Sequence, residues 1–320
     1  MNSFERGPVA EGGFHLEPAQ IERFEQQGYL SPLAVLTDIE LVHFRSAYEA
    51  FLEGFDGRPP PHYKHKLHLM YEWADKLVHH PAVLDPVESI LGPDLLCWTS
   101  NLLVKEPGGG SFVSFHQDAT YWGLEPHEVV TAWIALSPST ARSGCVEVVP
   151  GSHRGEMLPH VDTFASGNML TRGQEVAAGV APETVHKMEL QGGEMSLHHI
   201  RLVHGSGKNH SDEVRIGLAI RFMSARVRKE GRSESALLVR GETGGGSFLP
   251  EQRPETDYGL PGRVAQNRAV RLQLANSYLP RPGLGFGERV RLALRRRLSE
   301  AGLDLLYLGL RLRGLFRGGC

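Results

Sequence analysis

The sequence lacks the features of a disulfide-stabilised, membrane-spanning or strongly charged protein. It has only three cysteines, Cys97, Cys145 and Cys320, and because they lie far apart without a CxxC pair, neither a disulfide scaffold nor a zinc ribbon is expected. No run of about 18 apolar residues occurs, so we expect no transmembrane segment. The first residues contain no apolar signal core, which favours a reducing, cytoplasmic setting. The formal net charge of −3 gives no support for a nucleic-acid partner.

The length and composition instead favour one large domain. The chain has 320 residues, of which 41% are hydrophobic, and this is enough to bury a sizeable core. We divide it into a flexible leader at 1–16, a single domain at 17–262 and an Arg-rich helical extension at 263–320. Within the domain, Pro18 and Gly28 are typical of the start and the end of a helix.

Helical signals give way to β signals near residue 93. Thr37 and Glu40 form a capping-box pattern at the start of a second helix, and residues 68–91 have a helical pattern interrupted by prolines. Short β-like runs separated by Gly, Pro and Ser turns then follow. These runs are 95–105, 112–116, 128–136, 145–149, 184–190, 194–200 and 214–224. Because they do not alternate with helices, they argue against a Rossmann fold and favour a sandwich or jelly roll.

His116 and Asp118 are the first candidates for a metal site. They lie two residues apart in a β-like segment, so an imidazole and a carboxylate can project from the same face. His204, at the end of a later β-like run, is the best candidate for a third ligand. Two histidines and one carboxylate form the facial triad of iron(II) oxygenases, which leaves coordination positions open for substrates.

Two arginines on the run 214–224 are candidates for binding a carboxylate. Arg215 follows His204 after a polar turn, and its guanidinium could bind the distal carboxylate of an oxo diacid through two hydrogen bonds. Arg221 lies six residues further on and therefore shares its face. Strand parity does not separate these two residues.

An ordered set of short motifs runs through the predicted domain: Lys105-Glu106-Pro107, Phe115-His116-Gln117-Asp118, Thr131-Ala132-Trp133, Ser143-Gly144-Cys145, Val149-Pro150-Gly151-Ser152-His153, and His204-Gly205-Ser206-Gly207 with Arg215. With these motifs the sequence resembles the phytanoyl-CoA dioxygenase family over about residues 17–230. The resemblance implies a mainly β fold with flanking helices, built on a double-stranded β-helix (jelly-roll, cupin-like) core. It also implies iron at the three triad residues and 2-oxoglutarate on Arg215, whose spacing matches the family better than that of Arg221. Asn101 and Trp133 would line the 2-oxoglutarate pocket, with Lys66 as a further candidate.

The function that the resemblance implies is that of an Fe(II)- and 2-oxoglutarate-dependent dioxygenase. Such an enzyme uses O2 to hydroxylate a small organic or lipid-like substrate and releases succinate and CO2, with ascorbate as a supporting reductant. Related halogenases replace the carboxylate ligand by a small residue, so the presence of Asp118 favours hydroxylation, desaturation or ring closure. The alternative is a cupin-like metal-binding protein without turnover. The prime substrate and the oligomeric state are left open.

Several other residues have a less specialised interpretation. His153 lies in a predicted turn, and Lys105 is expected at a solvated strand end. By parity His198 shares a face with His204, whereas His199 does not. Tyr121 and Trp122 follow the His-x-Asp segment and are either core aromatics or part of a substrate pocket.

The predicted extension has a strong local charge. From Arg281 onward it contains nine arginines and three acidic residues. An amphipathic helix is predicted between Leu303 and Phe316. It would either pack on the protein or make a peripheral contact with an anionic membrane surface.

Overall fold

A computed structural model describes residues 14–277, together with 287, 289–290 and 292–298. The helices of the described part are α1 (Pro18–Gln27), α2 (Asp38–Glu53), α3 (Glu72–Val78), α4 (Pro81–Leu91), α5 (Ala119–Trp122) and α6 (Leu260–Ser277). The strands are β1 (Tyr29–Ala34), β2 (Leu95–Lys105), β3 (Val113–His116), β4 (Leu124–Glu125), β5 (Val129–Ala135), β6 (Val146–Val148), β7 (His160–Asp162), β8 (Gln174–Val176), β9 (His186–Met188), β10 (Glu194–His199), β11 (His204–Ser206), β12 (Arg215–Ser224), β13 (Arg228–Lys229), β14 (Ser235–Arg240) and β15 (Leu249–Pro250).

The amino-terminal helices begin and end where the sequence signals predict. At the start of α2, the Thr37 hydroxyl accepts a hydrogen bond from the Glu40 amide at 3.2 Å. The Glu40 carboxylate accepts one from the Thr37 amide at 2.8 Å, which completes the capping box. Helix α1 ends at Gly28, whose φ of 79° is favourable only for a residue without a Cβ atom.

Two sheets form the jelly-roll core, antiparallel except for the β14–β15 pair at one edge, which is parallel, and this confirms the predicted fold class. The larger sheet has the order β1-β10-β5-β12-β2-β14-β15, and the smaller has the order β3-β11-β6-β9. Each of the seven β-like runs of the sequence contains one of these strands. Two further pairs, β4 with β13 and β7 with β8, extend the rim.

Side chains alternate between two environments along β12. Ile216, Leu218 and Ile220 belong to the apolar core that covers the outer face of the larger sheet, where α1 to α4 contribute their own apolar side chains. The opposite face points into a cavity between the sheets and carries both arginines of this strand. On that face a Cβ atom at Gly217 would lie 2.1 Å from the Trp133 ring, so the close approach of the indole requires glycine there.

Helix α6 packs against the cavity rather than apart from the domain. The Gln266 side-chain amide donates to the backbone carbonyls of His62 and His65, both at 2.8 Å. Val270 and Leu274 line the cavity mouth. This helix begins at Leu260 and therefore crosses the predicted boundary between 262 and 263, which stays a prediction.

The ends of the chain carry predictions that the structure leaves open. Most of the predicted leader, and the amphipathic segment from Leu303 to Phe316, lie outside the described residues. Within the ranges that the structure describes, no helix is both long enough and apolar enough to cross a bilayer.

Candidate metal centre

Strand pairing brings the three predicted ligands together. In the smaller sheet β11 pairs antiparallel with β3, and His204 lies directly opposite His116. Asp118 follows β3 at the start of α5. All three residues are buried, and one potential ligand atom of each lies within 4.8 Å of the others. The two imidazole centroids are 4.2 Å apart.

Backbone hydrogen bonds orient both imidazoles. Nδ1 of His116 donates to the Ser114 carbonyl, and Nδ1 of His204 donates to the Leu202 carbonyl, each at 2.9 Å. A proton on Nδ1 leaves the Nε2 lone pair free, which is the state that a metal ligand requires. The Nε2 atoms lie 3.1 Å (His116) and 3.8 Å (His204) from the oxygens of Asp118.

The protonation states also suit a cation. Burial, and then the neighbouring His116, lower the pKa of His204 to about 4. Burial alone would raise the pKa of Asp118, but His204 and His116 lower it to about 2. At neutral pH the site therefore has a neutral imidazole at His204 and an ionised carboxylate. The buried Oδ2 of Asp118 has no hydrogen-bond partner within the described chain, so a metal ion would satisfy an otherwise uncompensated charge.

Arg215 lies near the metal candidates on the facing sheet. Its side chain is 1% exposed, and Nη1 donates to the Gly144 carbonyl at 2.7 Å and to Ser206 Oγ at 3.2 Å. Ser206 is two residues beyond His204 on β11, which corresponds to about 7 Å along a strand. The guanidinium carbon lies 5.1 Å from the centroid of the Trp133 ring. The buried Nε has no partner in the described part of the chain, so the guanidinium retains donor capacity for a ligand.

Six of the seven predicted site residues line one cavity of about 420 Å³. They are His116, Asp118, His204, Arg215, Trp133 and Asn101. Asn101 lies opposite Ala219 in the β2–β12 ladder, and its Oδ1 accepts a hydrogen bond from Arg221 Nη1. Arg221 lines the cavity as well, so both arginines on this face of β12 are available to ligands.

The prediction that Lys66 lines the 2-oxoglutarate pocket needs correction. Its Nζ is buried, donates to the carbonyls of Trp98 at 2.6 Å and Ser235 at 3.0 Å, and lies 2.5 Å from Glu251. The backbone at Lys66 has a φ of 50°, so the alternation of side chains is interrupted at this residue. Its neighbour Lys64 lines the cavity instead.

We expect the Lys66–Glu251 pair to be structural. Burial alone would raise the pKa of Glu251, but Lys66 lowers it to about 2. A lowered pKa stabilises the fold above the usual value of 4.5, and this stabilisation is lost as the pH falls towards 2. Glu251→Gln leaves a buried ammonium unpaired and should lower the free energy of unfolding by about 3–5 kcal/mol at pH 7.

Denaturant unfolding of the variant and the wild type at pH 7 and pH 3 measures this effect. The difference between them should shrink at pH 3. Glu255→Gln, at an exposed position four residues away, is the matched control. An unchanged unfolding midpoint for Glu251→Gln at pH 7 would contradict the structural assignment.

Lys105 and His198, which were not among the predicted site residues, lie beside the site. Lys105 is 1% exposed, not solvated as expected, and its Nζ donates to Ser206 Oγ at 2.5 Å and to the Ser206 carbonyl at 3.2 Å. Burial, and then the nearby Arg215, lower its pKa to about 7. His198 lines the cavity with its ring centroid 4.7 Å from that of His204, but it does so from β10 of the larger sheet and not, as strand parity assumed, from the strand that carries His204.

Of the other candidate residues, Trp122 alone lines the cavity, and His153, His199 and Tyr121 make structural contacts. His153 lies in a short 3-10 turn, and its Nε2 is 3.0 Å from the Glu25 carbonyl. His199 packs against Phe24 and His153. Trp122 lines the cavity, whereas the Tyr121 hydroxyl donates to an Asp162 carboxylate oxygen at 3.3 Å.

A second group of potential metal ligands is partly neutralised by an arginine. His15, Asp85 and Glu88 lie together at the surface. Arg240 pairs with both carboxylates, at 2.8 Å from Asp85 and in closer contact with Glu88. Arg240 offsets one of the two negative charges and contacts both carboxylates, so this exposed group is a weaker candidate for a metal site than the buried triad.

A jelly roll that holds two histidines and one carboxylate in a buried cavity defines a class of protein, the mononuclear non-haem iron oxygenases. Within that class, the model of the phytanoyl-CoA dioxygenase family matches residues 24–217. The chain belongs to the phytanoyl-CoA dioxygenase family of iron- and 2-oxoglutarate-dependent oxygenases.

Curated relatives include a probable alpha-ketoglutarate-dependent hypophosphite dioxygenase of Stutzerimonas stutzeri, 31% identical over 163 residues. The match covers 49% of this chain and 55% of that protein. The peroxisomal phytanoyl-CoA dioxygenase of Homo sapiens is 32% identical over 152 residues, which are 45% of this chain and 44% of that protein. The chain thus spans about half the length of these curated relatives.

Among solved structures, the apo form of the non-heme monooxygenase ThoJ is 34% identical, with a TM-score of 0.72. That similarity covers 80% of this chain and 96% of ThoJ. CytC3 with Fe(II) and alpha-ketoglutarate is 19% identical with a TM-score of 0.58, over 77% of this chain and 96% of CytC3, and this similarity concerns the fold alone.

Proposed function

We propose that this protein uses Fe(II), 2-oxoglutarate and O2 to hydroxylate a small organic or lipid-like substrate, with release of succinate and CO2. One observation carries most of the weight: a buried triad of His116, Asp118 and His204 lies in the same cavity as the partly unsatisfied guanidinium of Arg215. A metal ion alone would not require such an arginine.

The donor set fits ferrous iron. The two Nε2 atoms and the Asp118 carboxylate would hold the ion on one side and leave the cavity side open. Bound iron and 2-oxoglutarate supply the oxidation of a C–H bond at the expense of dioxygen. The other residues bind and orient these groups and keep water away from them.

Arg215 would hold the distal carboxylate of 2-oxoglutarate. Burial lowers its pKa to about 10, so it is still protonated at neutral pH. Its Nη1 is fixed by the Gly144 carbonyl and Ser206, and Trp133 covers the guanidinium from the side. Ser206 would lie beside the same carboxylate, so Arg215 and Ser206 would both donate hydrogen bonds to it.

The cavity walls would receive the organic part of the substrate. Trp98, Trp122, Leu103 and Leu170 line it together with Val270 and Leu274 of α6. Apolar walls exclude water from the reacting centre and stabilise an apolar substrate body. Because Asp118 occupies the carboxylate position of the triad, hydroxylation is favoured over halogenation.

Succinate release provides the direct test. The purified chain is incubated with Fe(II), 2-oxoglutarate and ascorbate, alone and with a panel of organic acids, acyl thioesters and amino acids. We expect succinate formation that requires iron and is stimulated by at least one panel member. A protein that binds Fe(II) but neither binds nor consumes 2-oxoglutarate would instead be a cupin-like metal-binding protein.

A further inference from the structure

Arg221 has unused hydrogen-bonding capacity inside the cavity. Its Nη1 donates to Asn101 Oδ1 and, at 3.3 Å, to the Ala219 carbonyl. The buried Nε has no partner, and Nη2 donates to no residue that the structure describes. The edge formed by Nε and Nη2 is the one that binds a carboxylate or phosphate through two parallel hydrogen bonds.

The surroundings of Arg221 hold this guanidinium in place. The Asn101 side chain that accepts from Nη1 donates in turn to Nδ1 of His65. On another side, the guanidinium carbon is 5.5 Å from the Trp122 ring centroid, and Trp122 packs on Trp98 with ring centroids 4.8 Å apart. The polar and aromatic contacts orient the side chain, but none of them neutralises its charge.

Arg172 and Arg253 differ in that respect, whereas the buried Arg215 also has no carboxylate partner among the described residues. Arg172 pairs with Asp162, and Arg253 lies 2.6 Å from Asp75. Across the described ranges of the chain, no carboxylate lies within salt-bridge distance of Arg221. Burial lowers the pKa of Arg221, and the more distant Asp118 opposes that shift. Arg221 is half-buried, and a cation partly withdrawn from water is costly unless a ligand supplies the counter-charge.

Binding of iron and 2-oxoglutarate would not remove this excess of positive charge in the cavity. Asp118 is the only acidic residue among the described residues that line the cavity, whereas Lys64, Arg215 and Arg221 are cationic. Two positive charges of iron and the one on Arg215 would be balanced by Asp118 and by both carboxylates of 2-oxoglutarate. Arg221 and Lys64 then have no counter-charge. The guanidinium groups of Arg215 and Arg221 also have no hydrogen-bond partner in common.

We propose that Arg221 is a substrate-binding residue that holds an anionic group, a carboxylate or a phosphate, of the molecule to be oxidised. This inference rests on the proposed function, because it takes 2-oxoglutarate to occupy Arg215. The apolar walls formed by Trp98, Trp122 and the α6 residues would then receive the uncharged part of the same molecule. The substrate class is therefore an amphipathic organic anion with an apolar body.

Binding calorimetry with a charge-matched set of probes tests this assignment. The full-length protein, loaded with Mn(II) in place of iron, is titrated with octanoate, octyl phosphate and the neutral octanamide, with and without saturating 2-oxoglutarate. We expect one of the two anions to bind at least about 10-fold more tightly than octanamide to the wild type. Which anion does so identifies the carboxylate or the phosphate as the group recognised.

Variants then test whether Arg221 provides the charge that binds the anion. Arg221→Gln should weaken binding of the preferred anion by about 10- to 100-fold and leave octanamide binding unchanged. Arg221→Lys, which keeps the charge without the planar fork, should retain part of the preference. Arg226→Gln removes an exposed arginine from the segment just beyond the same strand and is the matched control. Thermal melting of each variant checks that it is folded.

The outcomes separate this inference from the proposed function. If neither anion binds more tightly than octanamide to the wild type, or if Arg221→Gln preserves the preference, Arg221 does not bind a substrate anion. The comparison of the two anions with octanamide in the wild type tests the first of these outcomes without any variant. If Arg221→Gln abolishes 2-oxoglutarate binding, Arg221 is the co-substrate anchor instead. If the wild type does not bind 2-oxoglutarate at all, the proposed function fails, while the titrations without it still report on Arg221.

Discussion

Asp118→Ala is expected to abolish divalent-metal binding and, with it, all iron-dependent succinate formation. The carboxylate is the only anionic group of the triad, and its Oδ2 is buried without another partner in the described chain. Removing an outer partner of a metal ligand already weakens metal binding by about 10- to 100-fold. Removal of a ligand itself should exceed that range, because two neutral imidazoles would have to hold the cation alone.

Metal titration of the purified variant by calorimetry, followed by the succinate assay, measures both parts of this result. The control is Asp212→Ala, since the Asp212 side chain is completely exposed in the turn between β11 and β12 and is not one of the triad ligands. The control should bind metal and turn over like the wild type. Wild-type metal affinity in Asp118→Ala would show that the cation, if any, is held elsewhere.

The sequence predicted the parts of this site that depend on local periodicity. His116 and Asp118 are two residues apart, and strand alternation predicted that they share a face. The two side chains do meet, although β3 ends at His116 and Asp118 lies at the start of α5. Residues 215 and 221 were placed on a common face in the same way, and both line the cavity. The β-like runs were recognised because each is rich in β-branched and aromatic residues and is bounded by turn residues.

Other features depend on contacts between distant segments. The pairing of His204 with His116 is set by the register of β11 on β3, and the family resemblance, not periodicity, pointed to it. Lys66 was placed in the pocket by the family resemblance, on a loose local match; its ammonium instead contacts the Trp98 carbonyl and Glu251, and Lys64 lines the cavity. Lys105 was expected in solvent, but the turn that carries Gly144 and the end of β11 cover it. Helix α6 lines the cavity through tertiary packing that its own sequence does not reveal.

The second large effect is expected on the affinity for 2-oxoglutarate. Arg215→Gln should raise the dissociation constant of 2-oxoglutarate by about 100-fold, because it removes a buried, charge-assisted pair of hydrogen bonds worth up to about 3 kcal/mol. Metal binding should persist, since Arg215 contacts none of the three ligand side chains through a hydrogen bond or ion pair in the described residues. At saturating 2-oxoglutarate, turnover should recover substantially, which distinguishes loss of binding from loss of the metal site.

Arg215→Lys distinguishes charge from geometry. An ammonium cannot present two parallel donors, so this variant should bind 2-oxoglutarate more weakly than the wild type although the charge is kept. It would also place a second ammonium beside Lys105, whose pKa Arg215 already lowers. Since arginine and lysine at position 215 carry the same charge, protonation of Lys105 below about pH 7 should affect the wild type and Arg215→Lys alike, and the penalty should depend little on pH.

Parallel titration of Arg215→Gln, Arg221→Gln and the exposed control Arg226→Gln decides between the two arginines on this face of β12. Loss of 2-oxoglutarate affinity confined to Arg215→Gln supports the assignment made from its contacts with Ser206 and Trp133. Loss confined to Arg221→Gln would transfer the anchor to the other end of the strand face. Arg215→Gln and Arg221→Gln remove the same charge from the same strand. A difference between these two variants therefore reflects the position of the arginine alone.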